Sequence, residues 1–227
     1  MTETPVGPLV DTAPRPLPAR ITHRGTRVSL EPLDPRRHLD ELWQAASADQ
    51  DSSWAYLGYG PFATKAALEK TLQDLASGHD PLFFAVRVHS LGTVEGWMSL
   101  MEIFPRHAHI EIGHIWLGPR MRRSAAATES MFLLMRHAMD ELGYRRLTWK
   151  CNALNAPSRR AADRLGFTYE GTLRNVLVIK GRRRDTAWYS ILDDEWPSRR
   201  DAIAAWLEPG NFRPDGSAIR GLADVRG

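Results

Sequence analysis

The feature that most restricts the fold lies mid-chain, where a strand pattern runs through a short loop into the longest helix pattern. Residues 108–117 read as a strand that Gly118 and Pro119 stop. From residue 124 to 142, Ala127, Met131, Leu134, Ala138 and Leu142 recur at helical spacing, and Phe132 and Met135 widen the stripe. A stripe that broad suits a helix lying on a sheet. Gly143 stands where a C-terminal cap belongs, and residues 146–151 read as another strand. Strand, helix and strand in that order make a βαβ unit, so at least one parallel pair is expected.

The rest of the pattern is arranged around that unit. Residues 27–33 read as a strand, 38–48 as a helix, and Thr64 as the cap of a helix ending at Gly78. Strands follow at 81–88 and 92–103. After the βαβ unit come a helix at 157–165, strands at 167–173, 176–180 and 186–192, and a short helix that Ser198 caps. The class is α/β in the mixed, α+β sense, with antiparallel hairpins flanking the single βαβ unit. Pro8, Pro14, Pro16 and Pro18 and the lack of apolar period make residues 1–19 a flexible tail, and 209–227 read as a second one. One domain, residues 20–208, lies between.

Composition sets outer limits. The 227 residues are 43% hydrophobic and 25% charged, enough for one sizeable core. No run of about 18 apolar residues is present, and the first residues lack the basic start and apolar stretch of a secretory signal. With a single cysteine, Cys151, no internal disulfide is possible, and the cytoplasm is the expected compartment. A net charge of +3 comes from scattered arginines rather than one basic arm, so a nucleic-acid partner is not expected. No metal site and no membrane contact are expected, whereas unpaired sheet edges and the C-terminal helix suggest a homodimer.

The chemistry concentrates between residues 110 and 158. The loop into the long helix reads Arg122, Arg123, Ser124, Ala125, Ala126, Ala127, Thr128. Small residues admit a ligand to the backbone, the first helical amides lack internal partners, and the helix dipole favours a phosphate. Arg122 and Arg123 add charged donors at the same rim.

This loop resembles the coenzyme A signature of GNAT acetyltransferases, a Gln/Arg-x-x-Gly-x-Gly/Ala segment between a strand and a helix. Arg122 fills the first position, Ala125 stands where glycine is usual, and Ala127 fits the last. Asn155-Ala156-Pro157-Ser158 and Gly166-Phe167-Thr168-Tyr169-Glu170-Gly171 are similar to the family's Asn-x-x-Ser and Gly-Phe-x-x-Glu-Gly elements. The similarity spans roughly residues 24–196 and is closest to the Rim-type ribosomal-protein N-acetyltransferases. It implies a mixed, mostly antiparallel central sheet of six to seven strands flanked by helices. It also implies an acyl donor, acetyl-coenzyme A or another such as succinyl-coenzyme A, and a primary amine as acceptor. Backbone groups of Ile115, Trp116 and Leu117 would hold the pantetheine arm where their strand splays from its neighbour. Amides from Arg123 to Thr128 would hold the pyrophosphate, and Asn155 would approach the thioester side.

Acyl transfer to an amine requires a base, because an amine with a pKa near 10.4 is protonated at neutral pH. Glu111 is the first candidate, since its strand ends at the cofactor loop; Glu102 is its rival. Strict alternation puts Glu111, Gly113 and Ile115 on one face and His114 and Trp116 on the other. The family's usual tyrosine acid would fall at Ala162, so Ser158 is the candidate acid for the leaving thiolate, a role the Rim-type branch implies. Ser158 is also a natural helix cap. His114 and Cys151 are expected to be structural, Trp97 and Trp116 core, and Trp54 a substrate contact in the loop 54–62. Arg182, Arg183 and Arg184 are expected at a solvated hairpin tip. His79, His107 or Arg174 could receive a carboxylated acyl group, making a succinyltransferase the nearest alternative. A non-catalytic coenzyme A sensor or a nucleic-acid module is the alternative from another class.

Overall fold

The computed structural model describes residues 6–49 and 51–226; residues 1–5 of the expected N-terminal tail lie outside the described residues. From the N-terminus run β1 (His23–Arg24), β2 (Val28–Pro32), α1 (Pro35–Ser47), α2 (Lys65–Ser77), β3 (Leu82–Val88), β4 (Thr93–Phe104) and β5 (His109–Leu117). Then come α3 (Ala125–Arg136), β6 (Arg146–Asn152), α4 (Ala156–Leu165), β7 (Thr168–Ile179), β8 (Arg182–Leu192), α5 (Trp196–Leu207) and α6 (Leu222–Arg226).

Short polar side chains start the helices. Asp34 accepts the Arg36 amide at 2.9 Å, and Pro35 occupies the first turn, where its missing N–H costs nothing. Thr64 and Ser124 accept the amides of Ala67 and Ala127, each at 3.2 Å. Asn155, not Ser158, caps α4, taking the Ser158 amide at 3.2 Å. Ser198 likewise falls inside α5, whose cap position is Glu195. The long helix predicted over 124–142 is α3 continued by a π-helical turn at His137–Glu141.

The strands form one sheet in the order β1-β2-β3-β4-β5-β6-β8-β7, and only β5 and β6 are parallel. It has eight strands rather than six to seven. The pair at His23–Arg24 is too short to leave a sequence pattern, and the strands expected at 167–173 and 176–180 are one strand. There β7 stays paired with β8 through a bulge, where Asn175 takes φ 54° and the register shifts between Leu173 and Leu177.

Each sheet face buries its own core. Leu100, Ile110 and Leu147 meet Met131, Leu134 and Met135 of α3 and Ile203 and Trp206 of α5. On the other face Phe83, Trp97 and Trp116 meet Leu42 of α1 and Leu68 and Leu72 of α2. Trp54, expected as a substrate contact, belongs to this second core: it is buried and stacks on Trp116 with ring centroids 4.6 Å apart. An indole is too apolar to stay in solvent when such a slot is open.

The segment after residue 208, expected as a flexible tail, packs against α5. Leu222 is buried, and the Trp206 indole donates to the Arg220 carbonyl at 2.8 Å. No helix of the described residues is long and apolar enough to cross a membrane.

One buried carboxylate fastens α3 to the sheet edge. Glu129 accepts the amides of Thr26, Arg27 and Val28 at 3.2, 2.6 and 2.9 Å. Replacing it would leave these donors without their acceptor in a largely dry site, at a cost of about 2–4 kcal/mol. Urea unfolding of Glu129→Ala should show that loss; a change below about 0.5 kcal/mol would contradict it.

Candidate active site

β5 and β6 pair only through His109↔Arg146, Ile110↔Leu147 and Glu111↔Thr148. Beyond that point β6 follows β8 as far as Asn152↔Thr186, while β5 follows β4 as far as Gly96↔Leu117. The two strands diverge, and a wedge opens through the sheet.

A bulge at His114 shapes one wall of the wedge. His114 has φ 50°, and the β4 residues 97–99 are matched by four of β5, residues 113–116. The extra residue reverses the alternation. Ile110 and Ile112 face the α3 core and so does Ile115, while Trp116 turns to the opposite core. Glu111 and Gly113 therefore share a face, but Ile115 does not join them, contrary to strict alternation. The His114 ring lies against Tyr59 and Phe83, with its Nδ1 3.3 Å from the Tyr59 hydroxyl.

A cavity of about 450 Å³ occupies the wedge. Of the catalytic and cofactor residues expected from the sequence, it brings together Glu111, Glu102, Ile115, Asn155 and Ser158, and His114, Cys151 and Arg184 line it as well. Trp116, Leu117 and the loop from Arg122 to Thr128 lie outside its lining. His79, His107 and Arg174, suggested from the sequence as contacts to an acyl carboxylate, are exposed and lie outside its lining.

Glu111 is buried, and loss of hydration pushes its carboxyl up to about 7, against the pull of Lys150. The Lys150 ammonium stands 2.8 Å from Glu111 Oε2, pairs also with Glu102, and lies 4.2 Å over the Trp188 ring. Lys150 is not among the residues that the sequence pattern singles out. A lysine inside the strand RLTWKCN was the available signal, since such a charge is rarely buried unpaired.

Ser158 Oγ accepts the Trp149 indole N–H at 3.0 Å. An indole is a donor only, so the serine keeps its own hydrogen for another acceptor. Cys151 is buried beside it, and burial holds its thiol above the usual range, which fits an inert packing role. Ala162, where the family tyrosine would fall, is fully buried.

The loop beyond β5 departs from expectation at Arg122. Its Nε donates to the Leu117 carbonyl at 2.7 Å and its guanidinium pairs with Asp49, so these donors already have protein partners. Asp49 also accepts the Trp116 indole at 3.0 Å and Ser53 Oγ at 2.5 Å; although burial opposes it, these bonds hold its carboxyl below the ordinary value. Arg123 is exposed with φ 59°, Ser124 is the cap, and Ala125 is the first helical residue. The amides of Ala125 and Ala126 thus precede the first helical hydrogen bond, which Thr128 makes to the Ser124 carbonyl. Thr128 itself is buried, its hydroxyl taking a bond from Arg164.

Comparison with known proteins identifies the family. The acetyltransferase (GNAT) domain model matches residues 27–168. The chain belongs to the GNAT acetyltransferase family. A GCN5-related N-acetyltransferase of Brucella melitensis is 46% identical, with a TM-score of 0.93 over 94% of this chain and 97% of that one. A GNAT acetyltransferase structure from Chromobacterium violaceum is 38% identical, with a TM-score of 0.79 over 87% of this chain and 99% of that one. A Bacillus subtilis relative named "Putative ribosomal N-acetyltransferase YdaF" is 25% identical over 75% of this chain and 92% of its own length.

In this GNAT chain the cavity also holds three residues of β8: Arg184, Thr186 and Trp188. Arg184 was expected at a solvated hairpin tip with Arg182 and Arg183. Those two are exposed, but the turn lies earlier, at Lys180 and Gly181, and Arg184 points inward. Away from the cavity, His23, His137 and Glu141 bring ligand-type atoms within 4.8 Å of one another, and His137 Nδ1 bonds Glu141 at 2.6 Å.

The carboxyl titration can be measured directly. Side-chain carbon NMR of Glu111 should give a midpoint near 7. In Lys150→Met the nearby cation is gone, so the midpoint should move upward. A wild-type midpoint near 4.5, or one that Lys150→Met leaves unmoved, would contradict this electrostatic picture.

Proposed function

We propose that this GNAT enzyme transfers an acyl group, acetyl in the simplest case, from acyl-coenzyme A to a primary amine by direct attack in the cavity. The observation that carries the reading is Glu111, a buried carboxylate poised near neutrality in the wedge where β5 leaves β6. A carboxylate with that pKa is ionised enough at neutral pH to accept a proton and basic enough to want one.

The residues present suit a long, thin, anionic donor. Among the described residues the edge of β5 that faces the wedge has no strand partner past Glu111, leaving backbone groups from Gly113 to Leu117 for a pantetheine arm. The amides at the start of α3, with exposed Arg123 beside them, suit a pyrophosphate. Ala125 does not oppose this, because it sits at the first helical position and carries only a methyl group. Asn155 and Ser158, at the start of α4, also line the cavity and suit the thioester end of the donor.

Bound donor supplies an activated carbonyl and a thiolate leaving group. Glu111 takes the proton from the entering ammonium, directly or through a water, and Lys150 keeps the carboxylate in place. Amides along the bulged edge of β5 face the developing oxyanion. Ser158, whose oxygen already receives the Trp149 indole, turns its hydrogen toward the leaving sulfur. Glu102 is the weaker candidate base, since it is half-buried and lies on the outer side of Lys150. The name of the Bacillus relative, a ribosomal N-acetyltransferase, favours an amine of a ribosomal component as one acceptor class.

Titration calorimetry with acetyl-coenzyme A should give micromolar affinity. With an amine acceptor, kcat/KM should rise with pH through about 7, because the base works only when ionised. Glu111→Gln should lose roughly 100-fold in kcat/KM together with that limb, the scale of a general base. Absence of donor binding at millimolar concentration would withdraw the enzymatic reading.

A further inference from the structure

Three side chains of β8 face the cavity at alternate positions: Arg184, Thr186 and Trp188. Each carries a buried polar atom with no hydrogen-bond partner: Arg184 Nε, Thr186 Oγ1 and Trp188 Nε1. All three can donate, and two of them can only donate. Buried donors are normally paired, so three in register along one strand, in one cavity, mark a place kept for an acceptor that the protein does not supply. Four of the seven such atoms among the described residues line this cavity: these three donors and Glu111 Oε2, which Lys150 faces at 2.8 Å.

The charges around the cavity say what kind of acceptor fits. Lys150 is engaged by both Glu102 and Glu111. Arg184 makes no ion pair among the described residues; burial disfavours its charge, and the fields of Cys151 and Glu111 offset that only in part. A guanidinium left without a carboxylate, beside an indole N–H and a hydroxyl, matches the oxygens of a carboxylate in a fork geometry. β8 lies beyond β6 on the face of Glu111 and Lys150, since Lys150 pairs across from Trp188 and Asn152 from Thr186. The row therefore flanks the base rather than the start of α3.

We propose that Arg184, Thr186 and Trp188 bind a carboxylate carried by one of the two substrates. It belongs either to the amine acceptor, as in an amino acid or a peptide with a free carboxyl close to its amine, or to the far end of a dicarboxylic acyl group. This inference rests on the acyltransfer reading and adds the substrate class to it.

Calorimetry on the full chain separates the two sources. For the acceptor, protein saturated with free coenzyme A is titrated with alanine and with alaninamide. For the donor, the free protein is titrated with succinyl- and with acetyl-coenzyme A. Binding should favour the carboxylate over its neutral counterpart at least tenfold in one of the two arms, and Arg184→Gln should abolish that preference. Arg184→Lys should keep part of it, and Trp188→Phe, which removes only the indole donor and preserves packing, should reduce it several-fold. A wild type with no preference in either arm, or one whose preference survives both Arg184→Gln and Trp188→Phe, overturns the proposal. Acetyl-coenzyme A affinity in the same titrations keeps the two readings apart. Its absence would sink acyltransfer, while its presence without a carboxylate preference would sink this assignment alone.

Discussion

Parallel pairing between β5 and β6 ends at Glu111 and Thr148, and the architecture of the site depends on that ending. Each strand then has a better partner elsewhere: β6 runs on beside β8 and β5 beside β4. The bulge at His114 adds a residue to β5, reverses its faces and turns Trp116 into the second core. There Trp54 stacks on it and Asp49 bonds its indole, so the diverging end is anchored by packing and by a buried carboxylate together. A wedge held open in this way leaves one strand edge unpaired inside the protein. Unpaired backbone is costly where water is excluded, and a ligand that pairs with it recovers the loss.

The electrostatics follow from the same geometry. Glu111 is the last residue before the divergence, so its carboxylate is withdrawn from bulk water yet opens on the cavity. Burial raises its pKa, and Lys150 limits the rise. Without the lysine the carboxyl would be too readily protonated to serve at neutral pH; without burial it would be too weak a base. Lys150 is thus a positioning residue, and the aromatic face of Trp188 beneath it limits the directions its ammonium can take.

Much of this was legible in the sequence. The 3.6-residue period of 124–142, the small residues at its start and the Asn155 element pointed to the family. These are local signals, governed by residues close together in the chain. What stayed hidden depends on distant partners. Arg122 reads as a phosphate ligand until Asp49, 73 residues earlier, takes its guanidinium. Ile115 reads as a neighbour of Glu111 until the bulge at His114, which no turn residue announces, reverses the alternation. Trp54 reads as exposed because its loop is polar, and only the fold provides its slot between Trp116 and Phe62. Arg184 reads as part of a basic tip because sequence alone does not place the hairpin turn within two residues.

If the divergence between β5 and β6 receives the acyl donor, as proposed, backbone amide NMR of the protein titrated with free coenzyme A should show the largest shift changes at residues 113–117 and 123–128, with smaller ones at 155 and 158. Changes centred instead on α1 and α2, or a spectrum unmoved at saturating ligand, would contradict it.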